Sequence, residues 1–188
     1  MKLQIIMILT ITIFLVSCGG SSMRTAIIDT NQGTIKLELF TDTMPITTKN
    51  FIDLADKGFY EGTRFHRVIG PAKMPPQGFM IQGGDPKSKE LSQKASWGTG
   101  GPGYKIEDEF TANNKNNRGT ISMANAGPNT GGSQFFINLA NNNFLDDKHP
   151  VFGKVIEGVD IVDKIGKAAT DHQDKPLDDV IVKKITIK

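Results

Sequence analysis

Few side chains in this sequence could do covalent or metal chemistry. The 188 residues hold three histidines, His66, His149 and His172, and one cysteine, Cys18, all far apart in the chain. A zinc site needs three or four such ligands brought together, so no metal is expected. No G-x-S-x-G elbow and no H-E-x-x-H pair is present, which disfavours a hydrolase. Gly98-Thr-Gly-Gly-Pro-Gly103 satisfies G-x-G-x-x-G, but no strong strand precedes it, no helix opens after it, and Pro102 interrupts it. A glycine-rich surface loop is the better reading than a dinucleotide site. The residues that stand out are hydrogen-bonding and aromatic groups in short runs. These are Phe65-His-Arg-Val-Ile69, Gly78-Phe-Met-Ile-Gln-Gly-Gly-Asp85, Met123-Ala-Asn-Ala126 continuing into Gly127-Pro-Asn-Thr-Gly-Gly-Ser-Gln-Phe135, and Leu145-Asp-Asp-Lys-His149. Among them Arg67 remains charged at any relevant pH.

The elements that must carry these runs are short. Residues 26–30 and 34–40 flank Asn31-Gln-Gly33, and the second run alternates apolar with polar residues, so the pair predicts a β-hairpin. Thr43 is placed to cap a helix whose first turn takes Pro45, whose buried stripe is Phe51, Leu54 and Ala55, and which ends at Gly58. Further strands are predicted at 65–69, 79–82, 119–124, 134–139 and 151–156, separated by Gly, Pro and Asn clusters. A second helix is expected at 159–165 and a last strand within 179–188. Many short strands with two helices fit a mainly β fold, a closed antiparallel barrel that leaves no sheet edge exposed.

The first residues belong to something else. Lys2 followed by the apolar run Ile5 to Val16 and then Ser17-Cys18-Gly-Gly-Ser-Ser22 reads as an export signal, too short to span a bilayer, for which ~20 apolar residues are needed. Leu15-Val-Ser-Cys18 resembles the bacterial lipobox, which implies cleavage before Cys18 and lipidation of that residue, including palmitate. The expected division is a lipoprotein signal peptide at 1–17, a lipidated tether at 18–23 and a folded domain at 24–188. Two or three acyl chains would exceed what stable attachment requires, so the domain should be lipid-anchored at the cell envelope. Gly19 in place of aspartate after Cys18 favours the outer membrane, facing the periplasm. One cysteine excludes an intrachain disulfide, so stability must come from an apolar core. Net charge is +2, about +1 without Lys2, with both signs interspersed. The segment from Lys87 to Lys94 is too sparse and too mixed with Glu90 for a nucleic-acid footprint.

Taken in order, the runs named above, with Phe135-Phe-Ile-Asn138 and Val151-Phe-Gly-Lys-Val155, resemble the active-site sequences of a cyclophilin-type peptidyl-prolyl cis-trans isomerase. The resemblance covers roughly residues 24–188. It implies an eight-stranded barrel capped by two α-helices, no cofactor, and acceleration of X-Pro bond rotation in exported, unfolded or extended chains, assisting their folding. That rotation needs neither a metal nor a covalent intermediate. It needs a donor to the proline nitrogen as its lone pair localises, an apolar pocket for the ring, and contacts to the turning carbonyl. By resemblance Arg67 is the donor, Gln82 holds its guanidinium and meets substrate backbone, and Phe79, Met80, Phe135 and Leu145 form the proline pocket. Ala124 and Asn125 offer backbone groups at the rim, with Ala126 beside them, and His149 stands at the pocket edge. His66 is a further candidate contact beside the donor. On a strand, however, it faces away from Arg67, and a hydrogen-bonded core histidine is the alternative.

Three departures from the family pattern bear on function. Residues 70–77 replace a shorter Pro-Gly turn, either as a passive surface loop or as a modifier of the pocket mouth. Residues 87–97 are a second expansion, so Trp97 is not the pocket tryptophan of many cyclophilins. Phe144 stands at that tryptophan's position and lacks the indole N–H, which predicts weakened cyclosporin binding with peptide turnover kept. A monomer acting on X-Pro segments is expected. The alternative is a proline-segment binding module or chaperone at the envelope with little catalysis. A structural lipoprotein with a degenerate site would instead lack the donor or fill the pocket.

Overall fold

The computed structural model describes residues 24–188; the expected signal peptide and tether, Cys18 included, lie outside the described residues. Strands β1 (Arg24–Thr30) and β2 (Thr34–Leu39) form the expected hairpin, with alternate residues Ala26, Ile28, Ile35, Leu37 and Leu39 turned into the core. Thr30 closes the turn, its Oγ1 donating to the Gly33 carbonyl at 2.6 Å and accepting from the Gln32 and Gly33 amides at 3.0 and 3.1 Å. Helix α1 (Pro45–Asp56) buries Phe51, Leu54 and Ala55, as the stripe predicts.

Its cap differs from expectation. Met44, not Thr43, stands at the N-cap position, and no side chain there makes a capping bond. Glu109, more than 60 residues away, supplies the carboxylate: it accepts from the amides of Ile46 (3.0 Å) and Thr47 (2.6 Å) and from the Thr47 hydroxyl (2.7 Å). A negative charge at a helix N-terminus also meets the positive end of the helix dipole.

The remaining elements are β3 (Arg67–Ile69), β4 (Met80–Gly83), β5 (Thr120–Met123), β6 (Phe135–Asn138), β7 (Val151–Glu157), α2 (Val159–Gly166) and β8 (Val182–Ile187). All eight strands belong to one antiparallel sheet in the order β3-β4-β6-β5-β7-β2-β1-β8. The expected closed barrel is corrected here to a curled half-barrel. Strands β3 and β8 are edges that do not pair with each other, because β3 has only three residues and the chain before it is irregular. A bridge between Arg64 and Ile181, with backbone bonds joining Gly62 and Thr63 to Val182 and Phe65 to Val180, spans the gap.

An aromatic cluster fills the interior. Phe51, Tyr60, Phe65, Phe135 and Phe152 are all buried, with Phe135 packed edge-on to Phe51 and Tyr60 at 5.7 Å and to Phe65 at 6.1 Å. Fully burying each of these phenylalanines contributes ~1.5–3 kcal/mol. The 87–97 expansion folds as two short 3-10 turns, Pro86–Lys89 and Leu91–Ser96, against the bridged edge. Trp97 is buried there, its indole N–H donating to the Glu90 carbonyl at 3.1 Å and its ring lying 5.5 Å below the Arg64 guanidinium.

Candidate active site

Antiparallel register places four residues in one row across the sheet: Arg67 faces Gln82, Gln82 faces Phe136, and Phe136 faces Ser122. Directly opposed residues point to the same side. Because Val68, Ile81, Phe135 and Ile137 belong to the interior cluster, the alternation of β3, β4 and β6 turns this row outward. Met80, two residues along β4 from Gln82 and so on the same face, joins Phe136 and Leu145 in a small apolar cluster separate from the main core, with Phe79 and Ala124 packed against it.

A pocket of about 230 Å³ opens on this cluster, lined by Arg67, Phe79, Met80, Gln82, Ala124, Asn125, Phe136, Leu145 and His149. Drug-sized ligands occupy ~300–1,000 Å³, so this cavity suits one small ring. Leu145 arrives on a 3-10 turn, Asn143–Leu145, anchored where Asn142 Nδ2 donates to the Phe79 carbonyl (2.9 Å) and to Asn138 Oδ1 (2.8 Å). The floor is therefore bonded to the strand beside it.

The polar rim is ordered by amide-to-amide bonds. Gln82 Nε2 donates to Gln134 Oε1 at 2.9 Å, and Gln134 Nε2 donates to the carbonyls of Gly98 (3.0 Å) and Gly100 (2.8 Å). The glycine-rich loop thus offers carbonyl acceptors to a side chain. It forms a wall of a second, larger groove of about 580 Å³, lined also by Gln134, that shares Gln82, Ala124 and Asn125 with the pocket. His149 Nδ1 lies 3.1 Å from the Met123 carbonyl, which can only accept, so the proton sits on Nδ1. Burial lowers the His149 pKa, opposed by that hydrogen bond and by Asp108, and the ring meets Phe136 edge-on at 5.3 Å.

Three of the expected assignments change. Phe135 is fully buried among Phe51, Tyr60 and Phe65, and Phe136 lines the pocket in its place. A shift of one residue moves a strand side chain to the other face. The signal lay in the polar neighbours: Gln134, Phe136 and Asn138 share a phase. His66 is also inside, 2% exposed and beside Gly98. Burial depresses its pKa to about 4 against the opposing pull of Asp85, so it is a neutral core histidine and no part of the pocket wall. Gln82 bonds Gln134, whereas the side-chain partner of Arg67 is the Asp174 carboxylate, 3.5 Å from Nε.

The other candidates surround the pocket. Ala126 lines the second groove, while Ala124 and Asn125 line both. Asn125 Nδ2 donates to the Lys148 carbonyl at 2.8 Å, which fixes the rim loop. Phe144 is exposed and stacks on Phe79 with ring centres 5.8 Å apart, a shelf outside the pocket lining. Cys18 lies outside the described residues.

Comparison with known proteins agrees with this geometry. The family model for the cyclophilin type peptidyl-prolyl cis-trans isomerase matches residues 25–187. Peptidyl-prolyl cis-trans isomerase-like 1 of Neurospora crassa is 44% identical over 161 residues, covering 85% of this chain and 91% of that protein. The Homo sapiens protein of the same name is 44% identical over 157 residues, covering 81% and 86%. A Cryptosporidium parvum cyclophilin type peptidyl-prolyl cis-trans isomerase superposes with a TM-score of 0.78 at 36% identity, over 89% of this chain and 98% of that one. Its structure in the presence of the dipeptide ala-pro gives 0.76 at 37%, over 87% and 98%.

Proposed function

Because the chain belongs to the cyclophilin-type peptidyl-prolyl cis-trans isomerase family, we propose that its surface pocket takes the proline ring of an X-Pro segment while Arg67 serves the turning bond. The protein is a peptidyl-prolyl cis-trans isomerase. The observation that carries the residue roles is the outward row Arg67, Gln82, Phe136 beside the apolar cluster of Met80, Phe136 and Leu145.

Rotation about an X-Pro bond breaks amide resonance against ~18–20 kcal/mol. As resonance is lost the proline nitrogen becomes pyramidal and gains a lone pair that a donor can meet. Arg67 supplies a permanent charge and five N–H donors in a planar fork. Its side chain is 46% exposed, so substrate reaches it without displacing packed protein. Met80, Phe136, Leu145 and Phe79 hold the ring, which leaves the preceding carbonyl as the part that swings. Gln82, fixed through Gln134, and the backbone at Ala124 and Asn125 meet the peptide on either side. His149, neutral and bonded to Met123, shapes the pocket edge and moves no proton. Removing ~6–7 kcal/mol of the barrier would bring the uncatalysed rate to ~10³ per second.

The finer setting follows from the leader sequence. We infer that residues 1–17 direct export, that Cys18 carries lipid, and that the monomeric domain works on exported chains at the membrane surface, with the outer membrane's periplasmic face favoured. Labelled palmitate incorporated by the wild type and lost in Cys18→Ser supports the anchor; equal labelling, or none, refutes it. For the site, an Ala-Pro peptide titrated against the full-length protein in detergent should shift the Met80 methyl and Phe136 ring resonances. Shifts confined to other surfaces would reject the pocket.

A further inference from the structure

Residues 70–77 form a compact turn, not a slack loop. The amides of Lys73 and Met74 both donate to the Gly70 carbonyl at 3.0 Å, Gly78 donates back to Met74 at 2.7 Å, and Phe79 to Ile69 at 2.7 Å. Gly78 has φ +90°, and a side chain there would press into the Gly70 backbone, so glycine closes the turn. This hydrogen-bonded turn carries Lys73 to a second loop.

That loop is built around Asp171, whose Oδ1 accepts from the amides of Gln173 (2.8 Å) and Lys175 (3.0 Å). Asp174 sits at its tip with φ +65°, a conformation that Asp and Asn adopt more readily than most residues. The Asp174 carbonyl accepts from the Val68 amide at 2.8 Å, so the tip is bonded to β3 one residue from Arg67. Its carboxylate is shared: Oδ1 lies 2.6 Å from Lys73 Nζ, and Oδ2 lies 3.5 Å from Arg67 Nε. Lys73 Nζ also donates to the Asp171 carbonyl at 2.7 Å. With its carboxylate on Nε, Asp174 leaves the terminal nitrogens of Arg67 for another acceptor.

Resting on the reading of Arg67 as donor, we propose that Asp174 is the positioning residue for Arg67, and that Lys73, brought in by the 70–77 turn, holds the Asp174 carboxylate in place. The insertion is thereby linked to the reaction. Its contribution is orientation, because a half-exposed ion pair at this spacing adds little to stability.

The test is a double-mutant cycle on the full-length protein in detergent, following cis-trans exchange of a short X-Pro peptide by NMR. Asp174→Asn keeps the left-handed backbone and the bond to Val68 while removing the charge. It should lower kcat about fivefold with KM within about twofold, and shift the Arg67 Nε–Hε resonance. In the Arg67→Ala background the same change should have no effect on rate. Lys73→Met should lower kcat by about twofold in the wild type and leave Asp174→Asn unaltered. Unchanged kcat in Asp174→Asn, an equal loss with and without Arg67, or a Lys73→Met effect that persists without the carboxylate would overturn the proposal. If instead wild type and Arg67→Ala are equally active, the donor reading itself fails, and the positioning role falls with it.

Discussion

Replacing Phe135 and Phe136 by leucine, one at a time, separates the two faces of β6. Phe135 is fully buried and makes edge-on contacts with Phe51, Tyr60 and Phe65 at 5.7, 5.7 and 6.1 Å. Leucine retains most of the apolar burial but loses the three aromatic pairs, each worth ~0.5–1.5 kcal/mol. Phe135→Leu should therefore cost about 2 kcal/mol, lowering Tm by about 4–8 °C in a domain of this size, with kcat/KM within about twofold. Phe136 packs on Met80 and Leu145 and, among the described residues, has a single ring contact, His149 at 5.3 Å. Phe136→Leu should cost less than ~1 kcal/mol in stability yet lower kcat/KM about tenfold, ~1.4 kcal/mol of transition-state binding. Urea unfolding gives the first quantity and exchange of an X-Pro peptide the second. If Phe135→Leu lost activity at unchanged stability while Phe136→Leu kept it, the assignment of faces would be refuted.

Two other outcomes follow from the geometry. Glu109→Ala removes the carboxylate that caps two amides and a hydroxyl at the start of α1, so stability should fall by ~1–2 kcal/mol without a change in kcat; unaltered urea midpoints would contradict the long-range cap. His66, near 6.5 when unfolded, is depressed to about 4 in the fold, so between those values the unfolded chain binds the extra proton and acid favours unfolding. Its contribution is full above pH ~6.5 and is lost as pH falls toward ~4; His66→Gln should flatten the stability profile across that window, and an unchanged slope would exclude His66 as its source.

Element types were legible in the sequence where alternation and glycine punctuation agreed, as at Ile35, Leu37 and Leu39 of β2 or Phe51 and Leu54 of α1. Phase was hardest to read where two adjacent residues were equally apolar: Phe135 and Phe136 differ only in which neighbours share their face. Partners distant in the chain left no local trace. Glu109 caps a helix from 62 and 63 residues away, and Asp174 reaches Arg67 across 107. The openness of the barrel also escaped, because it depends on β3 being too short to pair with β8.

Arg67 can be tested apart from the fold that holds it. Its side chain is half exposed and outside the core, so Arg67→Ala should leave the urea midpoint nearly unchanged. With full-length wild type and Arg67→Ala at equal concentration, the cis-to-trans relaxation of a short X-Pro peptide should show catalysis lowered at least ~100-fold in the variant, the loss expected for a charged transition-state donor. A variant that keeps the wild-type rate would contradict the electrostatic mechanism, and a wild type that leaves the peptide at its uncatalysed rate would favour binding over catalysis.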